Sequence, residues 1–374
     1  MTTTLQQPTK IHELESIRGI AALLIVVHHI PSWNALFYDI TIIKNASLMV
    51  ELFFVLSGFV IFKAYSEKIK TGKDLIKFQF LRFGRLYPVH IIFLFALVLV
   101  EILRYVAVNK LGINSPNRIP FEENNWSAFF KQIFLVQAFW SNKEAITFNG
   151  PAWSISAEFY TYFIFGLIVL YLNKIKLFVF YSSAFLFLVL LVTIVPIDHN
   201  FFVRCLAGFF IGCCTASISE KINFRVHSSL ISIPLAGILL FLQFKPANPH
   251  YDVTIYFLTS LLILSIVLSD GGIIKRVLNL RLLTWLGAIS FSVYMSHSAL
   301  LWVVNQTYRT VLKPHEAVID GISTPQLSVI GAALAYMIFI GLVLLVSNYI
   351  YKNVEGPFRE VSRKLVNKPN ATVR

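Results

Sequence analysis

Charge is what this sequence has least of. Asp, Glu, Lys and Arg make up only 14% of its 374 residues against 56% hydrophobic residues, and the mean hydropathy is +0.70. Soluble globular domains carry roughly 25% charged residues, so that class is excluded and a polytopic membrane protein takes its place. Cysteine is scarce as well. Cys205, Cys213 and Cys214 all fall in one apolar stretch, without the paired spacing of a metal site, which points to packing and to no bound metal. Acidic residues are few, 19 against 32 Lys and Arg, for a net charge of +13. That excess does not mark a nucleic-acid partner, because the basic residues sit between apolar segments instead of forming one interleaved basic-aromatic surface. Also absent are an internal repeat, a low-complexity segment and, after the polar stretch Met1 to Leu14, the cleavage site of a signal peptide. The first apolar segment is therefore expected to stay as a helix.

What is present is a series of apolar runs, at 15–33, 47–65, 86–107, 150–172, 177–196, 201–218, 228–244, 253–269, 283–304 and 326–351. Ten helices of about 20 residues each, with short loops, use up most of the chain. The expected fold class is all-α: a single membrane-embedded helix bundle over 1–374, surrounded by lipid, with about ten transmembrane helices. With both ends cytoplasmic, one side would carry Lys10, Arg18, the run Lys63 to Arg85, Lys174, Lys176, Lys221, Arg225, Lys275, Arg276, Arg281 and a basic tail over 352–374. The other side would carry far fewer, as the positive-inside rule requires. The longest outer connection, Val108 to Asn149, holds Pro116, Pro120, Glu122, Glu123 and an amphipathic stretch from Trp126 to Trp140. It reads either as an interfacial lid or as a surface helix covering the bundle. Gly208 and Gly212 form a small-xxx-small pair suited to close helix packing.

Ionisable side chains inside apolar segments are costly and point to function. Arg18 and His29 are eleven positions apart, which at about 100° per residue returns them to within roughly 20° of one helix face, with His29 some 16 Å deeper. His28 points elsewhere. In the ninth segment Ser290, Tyr294 and His297 recur at i, i+4 and i+7, a polar stripe along one side of a helix. His297 falls near mid-depth if 283 is the cytoplasmic start, so both histidines could reach one cavity. Structural hydrogen bonding is the plainer role for each. Glu158, within Trp153-Ser154-Ile155-Ser156-Ala157-Glu158, and Glu51, ahead of Phe53 to Phe59, either orient a histidine or arginine or lock helices together. Ser57-Gly58 permits close backbone approach. Arg82 and Arg85, three apart, are suited to bidentate phosphate binding by a cytoplasmic nucleotide or coenzyme. They also satisfy topology and anionic lipid.

Taken together, Glu15 to Ala22 through His29, Glu51 to Phe59, Arg82 to Pro88, Trp153 to Glu158, Ser290 to His297 and Glu355 to Arg359 resemble the acyltransferase 3 family of membrane acyltransferases. Six motifs in the family's order span the chain. The resemblance implies transfer of an acyl group, usually acetyl, from cytoplasmic acetyl-CoA or another short acyl-CoA to a carbohydrate hydroxyl, in a bacterial cytoplasmic (inner) membrane. It implies cofactor-binding roles for Arg18, Arg82 and Arg85 and catalytic roles for His29, His297 and Glu158. Glu51, Ser57, Trp153, Ser156, Ser290 and Tyr294 would support them. Glu51 stands where the family commonly has aspartate. The chain looks like the stand-alone form, lacking an extracytoplasmic hydrolase-like domain, so transfer would be direct or completed by a separate extracytoplasmic protein. A rival reading is a secondary transporter using the buried histidines and glutamates as a proton relay, although related halves and broken midplane helices are not evident. A non-catalytic scaffold would leave the buried His and Arg pattern unexplained.

Overall fold

The structure, a computed structural model, describes residues 11–112, 117, 119–195 and 199–367. Lys10, Pro116 and the end of the basic tail lie outside them. Among the described residues the expected all-α bundle is present. Its helices are α1 (His12–His28), α2 (Met49–Tyr65), α3 (Gly72–Leu111), α4 (Trp126–Ile133), α5 (Trp153–Tyr171), α6 (Lys176–Thr193), α7 (Phe201–Lys221), α8 (Ser232–Phe244), α9 (Thr254–Leu268), α10 (Arg281–Thr307), α11 (Val329–Ile350) and α12 (Gly356–Asn367). Eight helical segments, those containing α2, α3, α5, α6, α7, α9, α10 and α11, are long and apolar enough to cross a membrane. The two other expected segments form α1, of 17 residues, and the shorter apolar helix over Ser228–Phe244.

Three local features depart from the sequence reading. First, α1 ends at His28, short of 33, because Pro31 stands just beyond and disfavours continued helix. Second, the basic stretch before residue 86 is no loop: α3 starts at Gly72 and runs for 40 residues, about 60 Å. Thr71 and Asp74 form a reciprocal capping box that starts it there, so Arg82 and Arg85 ride on a helical stem. Third, the described part of the expected basic tail, residues 352–367, is helical. A wide helical turn over Tyr351–Glu355 links α11 to α12, an amphipathic helix of 12 residues. A two-stranded antiparallel hairpin, β1 (Glu316–Ile319) and β2 (Ile322–Pro325), follows α10.

Missing side chains bring two helix pairs together. A Cβ on Gly58 of α2 would collide with the Phe209 carbonyl of α7, and one on Gly212 with the Val55 carbonyl and the Phe59 nitrogen. Gly58 and the Gly208–Gly212 pair therefore serve the close packing expected of them. Cys205, Cys213 and Cys214 are buried, Cys213 reaching the Gly58 carbonyl at 3.6 Å. No group of metal-ligating side chains occurs among the described residues. The second pair is α1 and α10, where Gly19 meets the backbone of Gly287 and Leu286, and Gly287 meets that of Glu15. These helices run parallel: Ser16 donates to the Leu278 carbonyl at one end and Trp33 to Asn305 at the other.

The long outer connection is fixed to the bundle. Buried Glu101 of α3 accepts from the Phe121 nitrogen at 2.8 Å and from Asn124 at 3.1 Å. Gln132, wholly buried, donates to Thr147, and its carbonyl meets His90 of α3 at 2.9 Å. Ser156 of α5 donates to the Leu135 carbonyl and accepts from the Ala138 nitrogen. Trp126, Phe130 and Phe134, four apart, stay exposed on the outer side of α4. This connection is a covering layer whose buried polar groups are held by bonds to α3 and α5.

Candidate active site

The parallel packing of α1 on α10 sets the centre of the site. Gly19 faces Gly287, and ten residues further along each helix stand His29 and His297. Ten residues are about 15 Å of rise on either helix, so the two imidazoles arrive at one level. Their ring centroids are 4.8 Å apart, with the planes tilted by 53°. The two histidines therefore meet. His28, as its helical phase demands, turns away and bonds the Ile43 carbonyl at 3.0 Å.

The environments of the pair differ. His29 caps α1, is exposed, and bonds the Ile25 carbonyl through Nδ1 at 2.8 Å. A carbonyl only accepts, so Nδ1 carries the hydrogen and Nε2 the free lone pair. This leaves Nε2 as a proton acceptor. His297 is completely buried, and neither ring nitrogen has a hydrogen-bond partner. A buried polar group without a partner calls for an explanation, and a reacting group beside it would supply one.

Below the histidines, toward the start of α1, lies a cavity of about 80 Å³ lined by Arg18, Ser57, Arg85, Glu158, Tyr162, Ser290 and Tyr294 with apolar neighbours. Neither histidine lines it. Tyr294 separates them: it faces the cavity, and its ring centroid lies 5.9 Å from that of His297. Its hydroxyl is fixed by donating to the Pro151 carbonyl and accepting from Ser154, both at 3.0 Å. On the opposite wall Glu158 accepts from Ser57 at 2.5 Å and from Tyr162, whose hydroxyl is 2.8 Å from that of Ser57. Arg18 and Arg85 face this carboxylate chamber together, supplying the positive charge that offsets it.

Arg85 also borders a second, smaller basin with Tyr65, Arg82, Arg359 and Arg363. Arg82 sits over the Tyr65 ring at 5.4 Å and donates to its hydroxyl at 3.3 Å. The arginines expected to act together are thus divided: Arg18 belongs to the inner cavity, Arg82 to the outer basin, and Arg85 to both.

Three supporting residues lie elsewhere. Glu51 is buried against Arg204 of α7, with a closest N–O distance of 2.5 Å, and Arg204 covers the Trp153 ring at 5.0 Å. Trp153 stacks on Phe201 at 4.0 Å. Glu51 and Trp153 therefore knit α2, α5 and α7 together, and Ser156 holds the outer connection. Sequence reasoning passed over Tyr162, although it stands one helical turn from Glu158, and Arg204, an isolated charge in an apolar run that deserved the same suspicion as Arg18. Arg359 closes the motif Glu355 to Arg359 but was given no role, and Arg363 had no signal beyond its basic character.

Comparison with known proteins places this geometry in context. A family model described as an acyltransferase domain, that of acyltransferase 3, matches residues 11–352. The chain is 33% identical over 160 residues to "Protein 2 in picA locus" of Rhizobium radiobacter, covering 40% of this chain and 78% of that protein. It is 30% identical over 172 residues to the acyltransferase MdmB of Streptomyces mycarofaciens, covering 43% of this chain and 40% of that one. To the O-acetyltransferase OatA of Staphylococcus aureus it is 25% identical over 333 residues, covering 80% of this chain and 52% of that one. The match thus spans only about half the length of OatA and less of MdmB. No solved structure matches. The match over nearly all of its length, on a bundle with eight helical segments long and apolar enough to cross a membrane among its described residues, makes this chain a member of the acyltransferase 3 family of integral membrane acyltransferases.

Proposed function

We propose that this chain transfers a short acyl group, acetyl first among them, from cytoplasmic acyl-coenzyme A to a hydroxyl of a carbohydrate at the outer face of a bacterial inner membrane. The observation that carries the reading is the row of groups running from the Arg18 and Arg85 cavity, past Tyr294, to the buried His297 and the exposed His29. Basic residues mark the end of the bundle where α1 begins: Lys63, Lys176, Arg225, Lys275 and Arg281 stand at helix ends or in loops there, and Arg82 on the stem of α3. In this reading that end is the cytoplasmic one, as the positive-inside rule favours, with α1 starting and α12 lying on the cytoplasmic side. The name of OatA, an O-acetyltransferase, supports an oxygen acceptor.

In this reading arginine guanidinium groups neutralise the coenzyme's phosphates, and the thioester arm enters the cavity. His29 Nε2 takes the proton of the acceptor hydroxyl, whose oxygen bonds to the thioester carbonyl carbon. The carbon–sulfur bond breaks, and the sulfur leaves as a thiolate that takes up a proton. The products are an ester and free coenzyme A. In this reading the arm passes Tyr294 to reach the histidines, and His297, whose ring centroid is 4.8 Å from that of His29, donates to the developing oxyanion or steadies the imidazolium of His29. In a relay variant His297 carries the acyl group first, and a separate extracytoplasmic protein completes the transfer. Glu158, bonded to Ser57 and Tyr162, sets the charge of the cavity beside Arg18.

The test is to incubate purified protein in lipid with radiolabelled acetyl-coenzyme A and candidate glycans. Labelled glycan together with free coenzyme A is the expected result. Coenzyme A that stays acylated with every acceptor overturns the donor assignment, and label on protein but never on glycan overturns direct transfer.

A further inference from the structure

The basin beside Arg85 is built from two helices far apart in sequence. From α3 come Arg82 and Arg85; from α12, beyond the matched family domain that ends at 352, come Arg359 and Arg363. The contact between these helices is made by a small residue. Gly84, between the two α3 arginines, packs on Ser362, between the two α12 arginines, so tightly that a Cβ on Gly84 would strike the serine hydroxyl. This pairing brings the four guanidinium groups around one pocket.

Their charges are poorly compensated. Glu355 stands 3.6 Å from Arg359 and already accepts from Ser292 at 2.9 Å. Arg82 leans on Tyr65, and the buried Nε atoms of Arg82 and Arg85 have no hydrogen-bond partner. Glu355 borders the four guanidinium groups, and Glu158 faces Arg85 only from the cavity side, where Arg18 already answers it; the remaining like charges repel one another, and a polyanion relieves that repulsion while filling the open donors. Orientation follows from the shared residue. Arg85 borders both the basin and the inner cavity, so the ligand's reactive arm passes Arg85, and its phosphates decrease in distance from that arm along the basin.

Resting on the donor reading above, we infer that Arg359 and Arg363 of α12 hold the ribose 3′-phosphate of coenzyme A, while Arg82 and Arg85 take the diphosphate nearer the arm. The terminal helix is thereby part of the donor site, and its arginines set the preference for the phosphorylated ribose. The same phosphate chemistry is offered by anionic lipid headgroups, so the lipid is the variable to control.

Binding of coenzyme A and of 3′-dephospho-coenzyme A is measured by calorimetry on the full chain in neutral phosphatidylcholine nanodiscs, for wild type, Arg363→Gln and Arg359→Gln/Arg363→Gln. A charge-assisted hydrogen bond contributes roughly 1.5–3 kcal/mol, about tenfold or more in affinity. The wild type should lose at least about tenfold when the 3′-phosphate is absent, and the double variant should bind both ligands equally at that weaker level. Because Arg359 also meets Glu355, Arg363→Gln is the variant least able to act through folding, and it should show the same pattern in smaller degree. Equal affinity of wild type and double variant for coenzyme A overturns the inference. So does an equal loss for both ligands, and so does an effect seen only when anionic phosphatidylglycerol is included. If the wild type binds neither ligand, the donor reading itself fails.

Discussion

The imidazole rings of His29 and His297 lie 4.8 Å apart, centroid to centroid, though they belong to the first and the penultimate membrane helices. One is exposed and tautomerically fixed through the Ile25 carbonyl; the other is buried with both ring nitrogens unpartnered. The proposed chemistry would use this asymmetry, whereas packing alone has no need of it. A histidine kept for stability is expected to have its nitrogens bonded, and His297 does not.

That contrast yields the first prediction. Replacing His297 by Leu, of similar volume, removes two unsatisfied buried polar atoms and loses no hydrogen bond, so the melting temperature should hold or rise. Acyl transfer should fall by about 10²- to 10⁴-fold, the usual contribution of a positioned acid or base. His29→Ala should cost a similar factor. Thermal melting and single-turnover transfer, measured on the same preparations, decide it: a stable His297→Leu protein with full turnover would make His297 a packing residue.

Tyr294→Phe isolates the partition between cavity and histidines. The hydroxyl lost is bonded to the Pro151 carbonyl and to Ser154. The Ser154 hydroxyl also lies 3.0 Å from that carbonyl, and its single hydrogen can turn there once the tyrosine hydroxyl is gone, so no buried acceptor is stranded and stability should drop by only about 1 kcal/mol. If the hydroxyl holds the ring in place as a wall of the cavity, kcat should fall while donor affinity stays near wild type. A selective loss of donor affinity would move Tyr294 to the binding machinery instead.

How much of this was legible beforehand depends on the range of the interaction. Hydropathy gave the bundle, and helical phase on one helix chose His29 over His28; both depend only on neighbours in sequence. The α3 stem was missed because its start depends on a two-residue cap, Thr71 and Asp74, which outweighs the break in hydropathy before residue 86. Contacts between distant helices left no comparable trace. Glu51 could be read either as orienting a histidine or arginine or as locking helices because its partner, Arg204, is supplied by α7, and Arg363 looked like part of a tail because the glycine that seats its helix is Gly84 of α3. Intramembrane charge announced that partners exist, but not which ones.

The Glu51–Arg204 pair should therefore behave as structure. Glu51→Gln leaves a buried guanidinium without its counter-charge, a change that costs roughly 3–5 kcal/mol when one partner of such a pair is removed. The variant should melt early and express poorly. Glu51→Gln combined with Arg204→Met removes the stranded charge and should recover much of the loss, with transfer per folded molecule near wild type. Thermal melting of all three proteins beside wild type reads the coupling; inactivity of a fully stable Glu51→Gln protein would return Glu51 to the chemistry.

The last prediction concerns the contact that sets the level of the two histidines. A Cβ at Gly287 would penetrate the backbone of Glu15, with the Glu15 carbonyl carbon and oxygen nearest, and backbone does not yield as a flexible side chain does. Gly287→Ala should force α1 away from α10 at that point, and the separation is carried ten residues along to His29 and His297. Misplacement by about 1 Å can cost 10²-fold in rate without touching a reacting group. If coenzyme A rests on the arginines of α3 and α12, as proposed above, its binding should change far less than turnover. Gly237, where the nearest neighbour of an added Cβ is the end of the Leu258 side chain at 3.1 Å, serves as the control: alanine there should be accommodated and leave transfer intact. Measured kcat and donor affinity for the two alanine variants separate the possibilities, since equal losses in both parameters for Gly287→Ala would indicate general unfolding and not a displaced histidine pair.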